Sequence, residues 1–288
     1  MTPRRFDDPV GQLAPFARSI AASTCTRDAD GVSCAWYHGL WLDLRAVGLG
    51  AGVAGTEGFF PEAMSYVKRP RPRVLVCGAA DHSILACVLG GCDEGRVEPE
   101  VTILDRCETP LRVNERFASG VDAKVALVRG EALEHAPEEP YDLVLAHSFV
   151  GYFSREGRRV LLERWKSWLA PGGFVALVQR VRDGDPSTPI GFSAEQAHAF
   201  RTAADARLRP RLTGGDLPMQ RGRVDAYVAR HRVYPIARGD LEAEIAAAGL
   251  GIARAWEVRV GSEAHGGLGG VAVAEGRAYA CVVAGRRD

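Results

Sequence analysis

The sequence predicts an α/β protein with a doubly wound, mostly parallel sheet. Five short apolar runs have the length of strands buried on both faces: residues 74–77, 101–104, 125–128, 143–146 and 174–178. Segments with helical patterning alternate with these runs, which is the order of connected βαβ units. A helix predicted at 156–169 stops at Pro171-Gly172-Gly173, a strong terminator, directly before the fifth run.

Residues 1–70 are predicted to form a helical lid over the substrate. Residues 32–49 carry an apolar stripe at roughly helical spacing, formed by Trp36, Leu40, Trp41 and Leu44. A stripe of this size needs a partner surface, because large exposed apolar patches are rare on soluble proteins. The sequence RPRPR at 69–73 then bars helix continuation. It indicates a linker into a catalytic domain at 71–288.

The predicted catalytic domain carries a polar insertion at about 182–238, with helical potential near 194–207. The insertion is rich in arginine: Arg201, Arg207, Arg209, Arg211, Arg221, Arg223, Arg230 and Arg232. Such a stretch is usually a solvated face. Arginine also binds carboxylates and phosphates bidentately, so a role in holding the substrate is the alternative.

The remainder of the chain predicts a helix and two strands. The helix is expected at 240–248 with Asp240 as its N-cap, and Gly249 ends it. A strand is expected at 252–260 and the last one at 278–284, with a glycine-rich loop at 261–276 between them.

The charge balance disfavours partners that are bound electrostatically. The 288 residues carry a formal net charge of zero, whereas capture of nucleic acid or anionic membrane needs a basic surface. The N-terminal residues lack the apolar core of a signal peptide, and no apolar run approaches the roughly 20 residues that span a bilayer. We therefore expect no nucleic acid, no membrane, and a small molecule as the partner. A homodimer is left open.

Cysteine and histidine usage predicts a cytoplasmic protein without a metal. The seven cysteines are odd in number and form no C-x-x-C pair, so neither a disulfide framework nor a structural zinc site is expected. No two histidines stand at metal-ligand spacing with a carboxylate.

The turn after the first predicted strand indicates a cofactor without a pyrophosphate. A dinucleotide site usually needs three glycines there, but only Gly78 is present, and Ala80 and His82 replace the later ones. Two acids follow later strands. Asp105 ends the second run, where a carboxylate accepts hydrogen bonds from ribose hydroxyls, and Glu131 follows the third, in reach of an adenine amino group.

The order of these motifs resembles the class I S-adenosylmethionine-dependent methyltransferases. The resemblance covers about residues 70–285 and is carried by the segments GAADHS, GEAL, YDLVLAHS and LAPGGFVALV. It implies a Rossmann-like sheet of seven strands, with the last strand antiparallel and inserted between strands five and six. This sequence departs from the family at Val76, where an acid is usual. Asp81 is therefore expected to help hold the methionine ammonium group.

The resemblance implies S-adenosylmethionine as the cofactor. The residues expected to contact it are Gly78, Ala79, Asp81, Asp105, Arg106, Glu131, Ala132 and His147. His147 and Ser148 close the fourth strand beside the ligand crevice. His147 and His38 are the candidate bases, since an imidazole titrates near neutral pH. Trp36, Tyr37 and Ser148 are expected to contact the acceptor.

The function predicted from the sequence is methyl transfer to the oxygen or nitrogen of a small molecule. Three alternatives stay open. The same fold supports other reactions of S-adenosylmethionine, such as cyclisation. A nicotinamide-dependent oxidoreductase is a second enzyme class, weakened by the missing glycines. A non-catalytic protein that binds the cofactor and a partner is the third.

Overall fold

The helices and strands alternate along the chain as the sequence predicts. A computed structural model describes residues 9–92, 97–261 and 277–286. The helices are α1 (Val10–Thr24), α2 (Ala35–Ala46), α3 (Phe59–Met64), α4 (Ser83–Gly91), α5 (Glu108–Gly120), α6 (Arg155–Trp168), α7 (Ala194–Leu208), α8 (Asp216–Arg230) and α9 (Arg238–Ala247). The strands are β1 (Arg73–Cys77), β2 (Glu100–Asp105), β3 (Val125–Arg129), β4 (Tyr141–His147), β5 (Leu169–Arg180), β6 (Leu250–Val260) and β7 (Arg277–Arg286).

The strands form one sheet of seven in the order β3-β2-β1-β4-β5-β7-β6. Strands β1 to β5 are parallel, and β7 lies antiparallel between β5 and β6. This confirms the predicted sheet, including the inserted last strand. The strand order reverses between β1 and β4, and in such sheets the ligand crevice opens at the carboxyl ends of the strands at that point.

Each face of the sheet is covered by its own hydrophobic core, because side chains alternate along the strands. Val74 and Val76 of β1 enter a core that also contains apolar residues of α1, α3, α4 and α5. Leu75 and Cys77 enter the opposite core, which contains residues of α6 and α9. Strand β1 is therefore buried on both faces, as its uninterrupted apolar run predicts.

Part of the N-terminal segment packs directly against the sheet. Leu13 of α1 and Phe59 and Phe60 of α3 are buried in the same core as the strands of the sheet. Removal of α1 and α3 would therefore expose part of this core to solvent. Helix α2 lies beside the crevice, and its Leu40 and Leu44 pack in a third cluster with residues of α7 and α8.

The insertion at 182–238 is more regular than its polar sequence predicts. Helix α7 confirms the helix expected there and begins with a capping box between Ser193 and Gln196. Helix α8 was not predicted. Asp240 was expected to cap a helix, but α9 begins earlier and Asp240 lies in its first turn.

Within the described part of the chain, no helix combines the length and the apolarity that crossing a membrane requires. Residues 262–276 of the expected glycine-rich loop lie outside the described residues.

Candidate active site

A cavity of about 620 Å³ opens at the carboxyl ends of β1, β2 and β4. Helix α2 and the insertion at 182–238 cover it from above. Its lining includes most of the site residues expected from the sequence: Trp36, Tyr37, His38, Gly78, Asp81, Asp105, Arg106, Glu131, Ala132, His147 and Ser148. The volume lies in the range of small-molecule and cofactor sites.

Gly78 makes the turn that shapes the cavity floor. Its φ is +75°, in the left-handed region that side chains rarely adopt. A Cβ at this position would also lie 2.1 Å from the ring of Phe149. The Gly78 amide donates to the Leu104 carbonyl at 2.9 Å, which joins the turn to the end of β2. One glycine therefore suffices for this turn.

Asp105 connects the first two strand ends. Its Oδ2 accepts from the Ala79 amide at 3.1 Å, and its Oδ1 accepts from the Cys107 amide at 2.7 Å. Burial raises the pKa of Asp105 to about 6, against the opposing effect of the His38 charge. A carboxylate oxygen accepts more than one hydrogen bond, so both oxygens keep capacity for a hydroxyl donor. Ala79 contributes its amide to this arrangement.

The turn after β3 brings Glu131 near Arg106. Their side chains are half exposed and stand 3.9 Å apart, while the neighbouring Ala132 is buried. An exposed pair of this kind contributes at most about 1 kcal/mol to stability. Exchange of this ion pair for contacts with a ligand at the cavity mouth would therefore cost little free energy.

Asp81 is bound to helix α2. Its Oδ2 accepts from Trp41 Nε1 at 2.7 Å and from the Arg45 guanidinium at 2.9 Å, and its Oδ1 accepts from the Ser83 amide. Burial alone would raise the pKa of Asp81, but the charge of Arg45 outweighs it and holds the pKa well below its usual value. An ammonium group would meet a carboxylate that is already paired. These contacts do not favour the role expected for Asp81.

His147 and Ser148 close β4 inside the cavity. The Nε2 of His147 lies 3.2 Å from the hydroxyl of Thr56, and its ring stands between those of Phe60 and Tyr279. Ser148 has a φ of +50°, unusual for a residue with a side chain, and its amide donates to the Val178 carbonyl at 2.7 Å. Such outliers concentrate at functional sites.

Burial lowers the pKa of His147 to about 4; the charge of Asp81 opposes this shift and that of Arg45 adds to it. The unfolded chain thus binds a proton at His147 between pH 6.5 and 4 that the folded protein does not, so this contribution to stability is lost as pH falls through that range. In the wild type this loss of unfolding free energy amounts to at most about 3 kcal/mol, and His147→Gln should abolish it. The measurement is denaturant unfolding of both proteins from pH 8 to 4. If the difference in unfolding free energy between the two proteins does not change with pH, the pKa of His147 is not lowered in the folded protein.

Stacked rings line the side of the cavity formed by α2 and α8. Tyr37 stacks on Trp41 with ring centroids 5.5 Å apart and on Tyr227 at 6.1 Å. Tyr227 in turn stacks on His231 at 4.9 Å, and Trp36 packs against Tyr227. Flat surfaces of this kind bind planar ligands, because offset stacking is favourable between rings.

Three arginines that sequence reasoning missed line the far end of the cavity: Arg180, Arg182 and Arg277. Burial and the charges of the other two lower the pKa of Arg180 to about 9, so it stays protonated at neutral pH. The carboxylates among the described lining residues are Asp81, Asp105 and Glu131, at the opposite end. The cavity thus has an acidic end and a basic end.

Most of the arginines in the insertion have other partners. Arg201 pairs with Asp225, and both Arg209 and Arg221 pair with Asp205. Arg207 donates to the Val47 carbonyl and Arg223 to the Gly39 carbonyl. Arg230 and Arg232 line the cavity. The solvated-face interpretation therefore holds for the three that pair on the surface.

His38 lies among thiols. Its Nδ1 stands 3.8 Å from the Sγ of Cys25, and Cys34 and Cys107 complete the group. Burial alone would lower the pKa of His38, but hydrogen bonds with Cys107 and Cys34 raise it to about 10. Its role as a base stays a prediction, and its surroundings differ from those of His147.

The fold agrees with known structures. The 1,6-didemethyltoxoflavin N1-methyltransferase of Burkholderia thailandensis, with S-adenosylhomocysteine bound, superposes with a TM-score of 0.57 at 17% identity, over 99% of this chain and 94% of that one. The mitomycin 7-O-methyltransferase superposes at 0.53 and 16% identity, over 98% of this chain and 69% of that one.

The magnesium protoporphyrin IX methyltransferase of Synechocystis PCC 6803, also with S-adenosylhomocysteine bound, superposes at 0.50 and 12% identity, over 85% of this chain and 87% of that one. No protein-family profile and no curated protein sequence matches the chain. The protein therefore has the fold of the class I S-adenosylmethionine-dependent methyltransferases.

Proposed function

We propose that the protein transfers a methyl group from S-adenosylmethionine to a small, planar acceptor that carries an acidic group. The observation that carries this proposal is the division of one cavity into an acidic end at the β1–β3 turns and a basic, aromatic end at β5, β7 and α8. The cofactor is cationic and rich in hydroxyl and amino donors, so it fits the acidic end. An anionic acceptor fits the basic end.

The residues at the acidic end fit the cofactor. Asp105 keeps acceptor capacity for two ribose hydroxyls, and Gly78 makes the turn beside it. Glu131 would accept from the adenine amino group, with Arg106 and Ala132 beside it. When bound, the cofactor supplies an electrophilic methyl group on a sulfonium.

The residues at the basic end would orient the acceptor. Arg180, Arg182 and Arg277 offer planar donor groups to a carboxylate or phenolate. The stacked rings of Tyr37 and Tyr227 form an aromatic wall of the same cavity. Holding the acceptor in one orientation and excluding water supplies most of what a displacement at a methyl carbon needs. Helix α2 forms part of this enclosure.

His147 is the proposed base for an acceptor that must lose a proton. Its imidazole is neutral at pH 7, because its pKa is lowered, and Thr56 orients the ring. A neutral imidazole in the cavity accepts a proton from a hydroxyl or an amine. An acceptor atom that is already anionic needs no base. His147→Ala should therefore slow methylation only of acceptors that must lose a proton.

The experiment combines cofactor binding with product analysis. Calorimetry with S-adenosylmethionine, S-adenosylhomocysteine and NAD separates this proposal from a nicotinamide-dependent oxidoreductase. Mass spectrometry after incubation with S-adenosylmethionine and a panel of aromatic acids, matched with their neutral esters, then detects methylated products. Binding of NAD alone, or turnover of the esters and not of the acids, contradicts the proposal. Cofactor breakdown without methylation indicates other chemistry on the same fold.

Arg180→Gln should raise the KM for an acidic acceptor by about tenfold and change kcat little, because a hydrogen bond to a charged group contributes about 1.5–3 kcal/mol. Steady-state kinetics with an acid and its ester measure this effect, and the ester should show no change. Arg201→Gln is the matched control, since Arg201 is exposed and paired with Asp225. An equal change for both acceptors would mean that Arg180 shapes the cavity and does not bind the acid.

A further inference from the structure

Three cysteines and one histidine meet at the wall of the cavity, where Cys34 and His38 belong to the lining. Cys25 ends α1, Cys34 and His38 belong to the start of α2, and Cys107 precedes α5. Their sulfur and nitrogen ligand atoms all lie within 4.8 Å of one another. Three thiols and one imidazole are the donor set of a closed zinc site.

The distances within the group match those of a tetrahedral site. The Sγ atoms of Cys34 and Cys107 are 3.5 Å apart, and Cys25 Sγ lies 3.8 Å from His38 Nδ1. A tetrahedron with zinc–sulfur bonds of about 2.3 Å has edges of about 3.7 Å. We propose that Cys25, Cys34, His38 and Cys107 bind one Zn²⁺ ion.

The local structure explains how the four ligands come together. A short bridge between Arg27 and Ser33 closes the turn from α1 to α2. The Cys34 amide donates to the Thr26 carbonyl at 2.9 Å, which sets Cys34 beside Cys25. Cys34 and His38 are four residues apart at the start of α2, so they lie on one side of it.

Hydroxyl groups around the thiols complete the arrangement. The Thr109 hydroxyl lies 3.0 Å from Cys25 Sγ and 2.7 Å from the Thr24 hydroxyl. The Thr26 hydroxyl donates to the Arg106 carbonyl at 2.9 Å, next to Cys107. Partners of this kind orient metal ligands and are part of most metal sites.

The position of the site indicates a structural metal. Four protein ligands leave no open coordination position for a substrate, unlike a catalytic zinc site. The ion would join the α1–α2 turn to Cys107, which lies two residues after Asp105. It would thereby hold helix α2 to the acidic end of the cavity. This inference does not depend on methyl transfer.

A disulfide between Cys34 and Cys107 is the competing use of these thiols. The two Sγ atoms are close, but the thiols are separate in this structure. The sequence predicts no metal because it contains no C-x-x-C motif and no suitably spaced pair of histidines. The present ligands come from three segments that the fold brings together, and no local motif reports them.

The test begins with the full-length protein purified under reducing conditions. Elemental analysis should find about one zinc ion per chain. Cys34→Ser and Cys107→Ser should each lose most of it, whereas Cys92→Ser, a cysteine outside the cluster, should keep it. Removal of zinc with a chelator should lower the thermal midpoint of the wild type and leave that of Cys34→Ser unchanged.

A spectroscopic measurement on the wild type avoids dependence on variants that fail to fold. Co²⁺ added to the chelator-treated protein should give the visible absorption of a tetrahedral, thiolate-bound ion, and Zn²⁺ should displace it. Three results would each overturn the proposal: a metal-free reduced protein that gives no thiolate–cobalt absorption, zinc retained in both serine variants, or a Cys34–Cys107 disulfide in place of bound metal.

Discussion

Arg45→Met should lower the free energy of unfolding by about 3–5 kcal/mol at neutral pH, because it leaves a buried carboxylate without its partner. The Arg45 guanidinium lies 2.9 Å from Asp81 Oδ2, and the two side chains are only 7% and 4% exposed. Trp41 and Ser83 also donate to this carboxylate, but neither carries a charge. Denaturant unfolding of the variant and the wild type measures the effect.

The effect should depend on pH in one direction. The folded pKa of Asp81 lies below its ordinary value of 3.8, so the stability that this carboxylate contributes is present above pH 3.8. That stability is lost as pH falls toward the folded pKa. In Arg45→Met burial should raise the pKa of Asp81, so the difference between the variant and the wild type should begin to shrink above pH 4 and continue to shrink below it.

Two variants separate the charge from the packing. Arg45→Met combined with Asp81→Asn removes both charges and should be more stable than Arg45→Met alone, which a double-mutant cycle quantifies. Arg201→Met is the matched control, because it breaks an exposed pair with Asp225 and should cost at most about 1 kcal/mol. If Arg45→Met unfolds like Arg201→Met, the buried pair does not hold α2 to the β1 turn.

The features that the sequence predicts well are those set by neighbouring residues. The β1 strand, its Gly78 turn and Asp105 follow from an apolar run and the residue that ends it. The position of a strand end then fixes which cavity those residues face. This is why most of the predicted cofactor residues line one cavity.

The features that the sequence does not predict depend on contacts between distant segments. Arg45 and Asp81 are 36 residues apart, and Arg277 joins the basic end only because β7 lies beside β5. No local pattern identifies such partners. The missed helix α8 has a weak pattern for a physical reason: it buries few apolar residues, Val224 and Val228 among them.

Asp105→Ala should weaken binding of S-adenosylmethionine by at least about tenfold, and by about a hundredfold if both ribose hydroxyls donate to the carboxylate. Each hydrogen bond to a charged group contributes about 1.5–3 kcal/mol, and about 1.4 kcal/mol corresponds to a factor of ten. Asp105→Asn should be milder, since it keeps one acceptor oxygen. Calorimetry with S-adenosylmethionine and S-adenosylhomocysteine gives the affinities.

Asp105→Ala should also be less stable than the wild type in the absence of cofactor. A residue at a strand end is expected to be dispensable for folding, but Asp105 accepts from the amides of Ala79 and Cys107. Asp105→Ala should therefore lower the thermal midpoint as well as the affinity. Asp142 provides a matched control: its carboxylate is buried, accepts from the Arg73 amide at 2.9 Å, and stands at the opposite end of the sheet from the cavity.

Comparison of the two variants separates binding from folding. Asp142→Ala should lose stability and bind the cofactor as the wild type does, whereas Asp105→Ala should lose both. Both affinities are measured well below the melting transition, so that each protein is folded. Unchanged cofactor affinity in a folded Asp105→Ala protein would mean that the ribose is held elsewhere. The acidic end would then no longer be the cofactor site, and the proposed division of the cavity would fail with it.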